Sequence, residues 1–197
     1  MNPLKQQFRK PTGFVGQIVG RILAVDNKQR SLWTVEKLKV RPTDTILEVG
    51  FGPGVTLELV AGQLTSGFVA GIDHSEVMLR QASKRNRKYI DGEKVRLKRG
   101  TIEDLAYPEN SFDLIYGSNV HFFWEDQVAE FRKLQALLKP CGRLVMVFQP
   151  RWAKNEEEIK GIATKTKQQF EAAGLKNIEI KFKKLNPVTS IYVGGFK

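Results

Sequence analysis

Three glycines at alternate positions, Gly50, Gly52 and Gly54, follow an apolar run that one acid, Glu48, interrupts in the stretch TILEVGFGPG. The run is short and β-branched enough for a buried parallel strand. Glycine at every second position lets the backbone take positive φ and lets a ligand approach with no Cβ in the way. Such a loop binds nucleotide-type ligands, and its spacing limits which. A dinucleotide fingerprint needs a third glycine or alanine where this chain has Val55, or Leu57 if the count starts at Gly52. No Lys-Ser/Thr pair follows, so the loop is not a phosphate-cradling P-loop either. A second buried run, Phe68 to Ile72, ends in Asp73, 19 residues after Gly54. An acid at that distance meets a ribose, and its carboxylate can accept from both ribose hydroxyls. The two elements agree on an adenosine ligand.

A third group of reactive side chains is Asn119-Val120-His121-Phe122-Phe123-Trp124. It follows a predicted fourth strand, on the side where ligands bind in parallel sheets. His121 titrates near neutral pH, which makes it the candidate general base or acceptor-orienting residue. Phe122, Phe123 and Trp124 are candidates to wall an apolar pocket, with core packing as the alternative. The single cysteine, Cys141, excludes an internal disulfide, and two histidines without metal-like spacing to acids point to no metal centre.

The elements that must position these residues can be read from periodicity. An amphipathic helix with Phe14, Val15, Ile18, Val19, Ile22 and Leu23 on one face follows a basic arm over residues 1–12, and suits a docked helix, a lid or a membrane-surface helix. A second helix is expected over about 28–40, with Leu32, Val35 and Leu38 inward, stopped before Pro42. Helices at 55–63, 75–90, 126–138 and 155–173 then alternate with strands at 46–49, 68–73, 95–99, 111–117 and 142–148. That rhythm argues for a parallel sheet with helices on both faces. Strands at 178–182 and 190–196 have no helix between them and are expected to form a hairpin.

The net charge of +11 lies at the ends. Residues 1–43 sum to +7 and 151–197 to +5, whereas 44–150 sum to −1. Such ends suit an anionic substrate or surface, and equally suit solvated helix faces. The basic residues late in the 75–90 helix are accounted for by its negative C-terminal end. No stretch approaches signal-peptide or membrane-span form, and the expected home is a reducing, cytoplasmic one.

The motifs TILEVGFGPG, VAGIDHSEVML, GTIEDLAYPENSFDLIYGSNVHFF and LLKPCGRLVMVF stand in an order and spacing that resemble the class I S-adenosylmethionine-dependent methyltransferases, in particular the small-molecule group that includes the quinone-biosynthesis C-methyltransferases. The resemblance covers residues 44–197 and implies an α/β Rossmann-like fold, a seven-stranded mostly parallel sheet with an antiparallel C-terminal strand. Residues 1–43 would belong to the same domain as a basic arm and possible lid. It also implies S-adenosylmethionine as cofactor and S-adenosylhomocysteine as product. Glu48 and the backbone of Gly50, Gly52 and Gly54 would line the methionine end, Asp73 the ribose, and His74 and Met78 the adenine. Thr101 and Ile102 fall at the adenine-contacting pair, where an acid or amide is common in place of Thr101. Ser118 matches a position that closes on the cofactor. Cys141 replaces the usual glycine of LKPGGR.

The expected reaction is in-line methyl transfer to a small-molecule or lipid-like acceptor, anionic if the basic ends take part. Membrane contact through residues 13–25 would go with a lipid acceptor. Two alternatives remain open. One is an RNA methyltransferase using the basic ends, although the chain has Gly117-Ser118-Asn119-Val120 where enzymes acting on exocyclic base amines resemble one another in an Asn/Asp-Pro-Pro-aromatic loop. The other is a non-catalytic cofactor-binding module.

Overall fold

A computed structural model describes residues 28–197. The sequence-predicted arm and first amphipathic helix, including the membrane contact proposed for 13–25, lie outside the described residues. Seven strands form one sheet in the order β3-β2-β1-β4-β5-β7-β6. They are β1 (Thr45–Val49), β2 (Phe68–Asp73), β3 (Val95–Arg99), β4 (Phe112–Ser118), β5 (Leu138–Phe148), β6 (Lys176–Lys183) and β7 (Ser190–Phe196). The helices are α1 (Lys28–Leu38), α2 (Val55–Ala61), α3 (Glu76–Arg85), α4 (Arg87–Asp91), α5 (Gln127–Leu137) and α6 (Glu156–Ala172). The chain forms two compact units, one ending at Leu105 and the other Ala106–Lys197.

In the first unit β1 pairs in parallel with β2, and β2 with β3, so that Val49 lies beside Ile72 and Asp73 beside Arg99. Ile46, Leu47, Leu57, Val60, Val69 and Ala82 are closed to solvent and make its core. α1 lays Trp33, Val35 and Leu38 inward, but Leu32, expected on that face, is half exposed. Ser31 and Thr34 take the inward positions instead. Burying them is tolerated because each hydroxyl is bonded: Thr56 Oγ1 donates to Ser31 Oγ at 3.0 Å, and Thr34 Oγ1 to the Arg30 carbonyl at 2.8 Å.

The predicted helix over 75–90 is two helices. Asn86 ends α3 and begins α4, and its side chain turns fully inward. The charge average of the sequence also hides a local excess, since nine of the 13 Lys and Arg in 44–150 fall between Arg80 and Arg99.

In the second unit β4 pairs in parallel with β5, β5 pairs antiparallel with β7, and β7 antiparallel with β6. The β6–β7 hairpin is as expected. Its antiparallel member, β7, is not the sheet edge, however; the chain reaches the edge first with β6 and returns inside it. The burial patterns give the reason. β7 is buried at every position but its last, whereas β6 reads KNIEIKFK with no buried residue. A lysine-rich strand suits an edge, where charge discourages pairing with another chain. Phe112, Tyr116, Phe131, Phe148 and Phe170 are closed to solvent, and the Phe131 and Phe170 rings of α5 and α6 meet at 4.7 Å.

No helix among the described residues is long and apolar enough to cross a membrane, and no three metal-ligating side chains gather among them.

Candidate cofactor site

The carboxyl ends of β1, β2 and β3 lie side by side in the first unit, and each runs into one predicted site segment. The ladder continues one bond past the strands: the Gly50 N–H donates to the Ile72 carbonyl at 2.7 Å, and the Gly100 N–H to the Asp73 carbonyl at 2.9 Å. The glycine loop, Asp73 and the Thr101-Ile102 pair are therefore brought to one edge.

The loop turns in the left-handed region at Gly50, Gly52 and Gly54, with φ of 72°, 53° and 76°. Its last two glycines are required for different reasons. A Cβ at Gly54 would sit 2.6 Å from Asn86 Nδ2 and 2.9 Å from Ala82 Cβ, so close packing against α3 excludes a side chain. A Cβ at Gly52 would meet nothing within 4 Å. The inner side of the loop is packed on protein, and the Gly52 side is open.

Asp73 clasps the loop from below. Its Oδ2 accepts from the Gly52 N–H and its Oδ1 from the Ser75 N–H, both at 2.9 Å. Burial raises the carboxyl above the ordinary aspartate range, against the pull of the Ser75 and Gly52 N–H groups and of His74. His74 Nδ1 lies 3.8 Å from Asp73 Oδ1, and its side chain is half exposed. Ser75 caps α3 by accepting from the Met78 N–H at 3.4 Å. Met78 itself is buried in the unit, as is Glu48.

Thr101 opens a single 3-10 turn, Ile102–Asp104. Its N–H and hydroxyl both donate to Asp104 Oδ2, at 2.8 and 3.0 Å. These two bonds, the backbone one first, hold the Asp104 carboxyl below its ordinary range. Thr101 is exposed and Ile102 buried.

Sequence reasoning missed the residues that brace the loop from α3. Asn86 Nδ2 donates to the Gly54 carbonyl at 3.1 Å and to the Ala82 carbonyl at 2.9 Å. Arg85 Nε donates to the Pro53 carbonyl at 3.0 Å, and its guanidinium lies 3.5 Å from the Glu58 carboxylate. The only signal for this was the Asn within an otherwise basic and apolar helix pattern.

Ser118 and His121 belong to the second unit. Ser118 ends β4, and Asn119, at φ 53°, turns the chain and accepts from the Gln149 N–H at 2.8 Å, tying the ends of β4 and β5 together. His121 is fully buried, in a short 3-10 turn, and neither ring nitrogen has a hydrogen-bond partner. It packs among Phe122 (3.9 Å between ring centroids), Phe148 (4.6 Å), Phe131 (6.0 Å) and Trp124 (6.4 Å). Burial pushes its pKa down to about 3, so the ring is neutral. A general base must reach the proton it takes, and here the His121 ring lies closed among aromatic side chains. Of the aromatic run, Phe122 stands edge-on to the exposed Trp152 at 4.6 Å and 89°, and Phe123 is exposed. Cys141 is exposed with φ 63°, in the left-handed turn that the glycine of LKPGGR would occupy freely.

Comparison with known proteins identifies the family and the fold. A family model described as "Methyltransferase domain" matches residues 46–142. An uncharacterized methyltransferase of Bacillus subtilis, YdaC, is 34% identical over 175 residues, which is 88% of this chain and 94% of that protein. A demethylmenaquinone methyltransferase of Lactobacillus johnsonii is 32% identical over 112 residues, 55% of this chain and 45% of that protein. Among solved structures, an S-adenosylmethionine-dependent methyltransferase from Aquifex aeolicus is similar in fold, with a TM-score of 0.69 at 18% identity over 89% of this chain and 96% of that one.

Proposed function

The chain belongs to the class I S-adenosylmethionine-dependent methyltransferases, and from that premise we propose that it uses S-adenosylmethionine to methylate a small, lipid-like acceptor. The observation that carries the cofactor reading is the open side of Gly52 beside Asp73. A Cβ there would fill space that no atom of the described residues occupies, which is what a ligand-facing glycine needs.

Asp73 fits a ribose because each of its oxygens accepts only one backbone N–H, leaving a lone pair on each for a ribose hydroxyl. Glu48 and the turn through Gly50, Gly52 and Gly54 would line the methionine end, the glycines by letting the ligand approach closely. Half-exposed His74, with Met78, Thr101 and Ile102, would hold the adenine end. The Thr101 hydroxyl gives its hydrogen to Asp104 Oδ2 and takes the Asp104 N–H on one lone pair, and the other would accept from the adenine amine. Bound there, the sulfonium supplies an electrophilic methyl. What the protein adds is alignment of the acceptor with the methyl and exclusion of water, and neither needs a base at His121.

For the acceptor, the supporting observation lies in the second unit. Phe122 and Trp152 follow the ends of β4 and β5, with Trp152 58% exposed. Apolar and aromatic side chains around few polar groups suit an apolar or aromatic acceptor, in keeping with the relative named for demethylmenaquinone. Two measurements test the reading. Calorimetry should show S-adenosylmethionine binding, and its absence would sink the cofactor assignment. Labelled methyl from S-adenosylmethionine, offered lipid, small-molecule and RNA extracts, should enter the organic-soluble fraction; label confined to RNA would overturn the acceptor class.

A further inference from the structure

We propose that the basic strip on α3, α4 and β3 of the first unit docks the phosphodiester backbone of a nucleic acid, apart from the methyl-transfer chemistry. Between Arg80 and Arg99 the chain has nine Lys and Arg against Asp91 and Glu93. The average over 44–150 stays near zero because residues 100–131 carry seven carboxylates and no Lys or Arg. The structure brings part of that run together, Arg80 on α3 with Arg99 at the end of β3. Glu76 at the start of α3 lies 4.0 Å from the Arg80 guanidinium and 3.4 Å from that of Arg99, so the helix and the end of β3 share one carboxylate between two cations. Arg87 is 83% exposed, with Asp91 at 3.6 Å as its partner. Arg96 and Lys98 extend from one face of β3, the outermost strand of the sheet, and Arg99 from the other.

Two structural reasons account for part of this charge. Lys84 and Arg85 in the last turn of α3 complement its dipole, and lysine or arginine on β3 discourages edge pairing. Neither reason covers Arg80 or Arg87. Their exposed ion pairs are weak and screened, and each guanidinium presents five donors, more than one carboxylate takes up.

The kind of partner follows from what the strip lacks. The large apolar side chains that are exposed among the described residues are Leu32, Phe123, Trp152, Phe182 and Phe196, none of them between 76 and 99. Stable membrane anchoring adds an inserted apolar group to a basic patch, and a stable protein interface has an apolar, charge-depleted centre. A phosphodiester backbone asks only for cations, and nucleic-acid interfaces are more polar and more positive than protein ones. Without exposed rings for base stacking, the contact is to the backbone and carries no sequence preference.

The test is fluorescence anisotropy of the full chain with a labelled 20-base-pair RNA duplex, the same sequence as duplex DNA, and the single RNA strand, each over a salt series. Two variants of equal charge change are compared: Arg80→Glu/Lys84→Glu/Arg87→Glu, and Lys160→Glu/Lys165→Glu/Lys176→Glu, which lies on α6 and β6. Binding should weaken steeply with salt, and the strip variant should lose at least tenfold in affinity and flatten the slope of log K against log salt by about 2–3 for a duplex, from roughly 0.9 per phosphate contact. The control variant should bind within twofold of wild type. Equal loss in both variants, no salt-dependent binding, or preference for anionic phosphatidylserine vesicles over nucleic acid would overturn the proposal. S-adenosylmethionine calorimetry and thermal melts on the same variants keep this failure separate from a failure of the cofactor reading or of folding.

Discussion

Gly52 and Gly54 are alike in sequence and in backbone conformation, and the structure assigns them opposite reasons for lacking a side chain. Gly54→Ala places a Cβ 2.6 Å from Asn86 Nδ2 and 2.9 Å from Ala82 Cβ. The left-handed conformation at φ 76° costs alanine roughly 1–2 kcal/mol, and overpacking against α3 adds about 1–3 kcal/mol. Gly52→Ala pays the first cost alone, since its Cβ enters empty space. At about 2–4 °C per kcal/mol for a chain of this size, Gly52→Ala should lower the melting temperature by about 2–8 °C and Gly54→Ala by roughly twice as much. The order reverses in proportion when binding is read. The added methyl of Gly52→Ala occupies the ligand side, so S-adenosylmethionine affinity should fall at least tenfold, about 1.4 kcal/mol, in a protein that is still folded. Thermal melts and calorimetry on the same samples separate the two effects. A folded Gly52→Ala protein that binds S-adenosylmethionine within twofold of wild type would refute the assignment of the open side to the cofactor.

Asp73→Asn replaces one lone-pair-bearing oxygen with a donor that faces a backbone N–H, and cofactor affinity should fall at least tenfold by calorimetry, about 1.4 kcal/mol. Because burial raises the Asp73 pKa above 3.8, wild-type affinity should fall on acidification before an ordinary aspartate would protonate, and the Asn variant should lack that step. The raised pKa also gives a stability contribution that is complete below 3.8 and lost as pH rises through the folded value, so wild type should gain on Asp73→Asn in acid melts. His121→Phe removes two unpartnered buried nitrogens for a ring of similar shape, a change that is near neutral or stabilising. Its melting temperature should hold or rise and methyl transfer should persist; lost transfer with intact cofactor binding would place His121 in the chemistry. With a folded pKa near 3 against 6.5, wild type should lose stability as pH falls from 6.5 towards 3, and the Phe variant should not show that loss. Cys141→Gly relieves φ 63° at a cost of unfolded-chain entropy, and should raise stability by about 0.5–1 kcal/mol, read as a higher melting temperature.

The parts of the site that could be read from sequence are those whose demand falls on the backbone. A positive φ requires glycine, so Gly50, Gly52 and Gly54 announce the turn, and an acid at the end of a buried run announces Asp73. The alternation of period-2 and helical runs likewise fixes five parallel-type strands and a hairpin. What could not be read depends on side chains meeting across long separations. Asn86 breaks the helix because its amide reaches a carbonyl 32 residues earlier, and no local propensity encodes that partner. Leu32 looks inward by hydrophobicity, yet Ser31 and Thr34 take the buried face because each finds a hydrogen bond there. His121 looks reactive by residue type, and only three-dimensional packing shows its ring closed among Phe122, Phe131 and Phe148. The order of β6 and β7 was hidden for a related reason: a hairpin can join the sheet through either strand, and burial of β7 decides.

The loop's internal bonds explain why so much of it is glycine and so little of it is left to the ligand. The Gly50, Gly52 and Gly54 N–H groups are bonded to the Ile72 carbonyl, the Asp73 carboxylate and the Phe51 carbonyl. The Pro53 and Gly54 carbonyls are bonded to Arg85 and Asn86. A loop held at five points before the ligand arrives loses little conformational freedom on binding, and preorganisation of that kind is gained as affinity. Asp73 then has two tasks. It fixes the loop through one lone pair of Oδ2 and offers the remaining lone pairs of both oxygens outward. An Asp73→Glu variant separates these tasks. One more methylene keeps the charge and the acceptors but moves the carboxylate off the Gly52 N–H, so cofactor affinity should drop although a ribose could still find an acid. If Asp73→Glu bound S-adenosylmethionine as well as wild type, the clasp on Gly52 would carry no part of the binding energy, and the acid would act on the ribose alone.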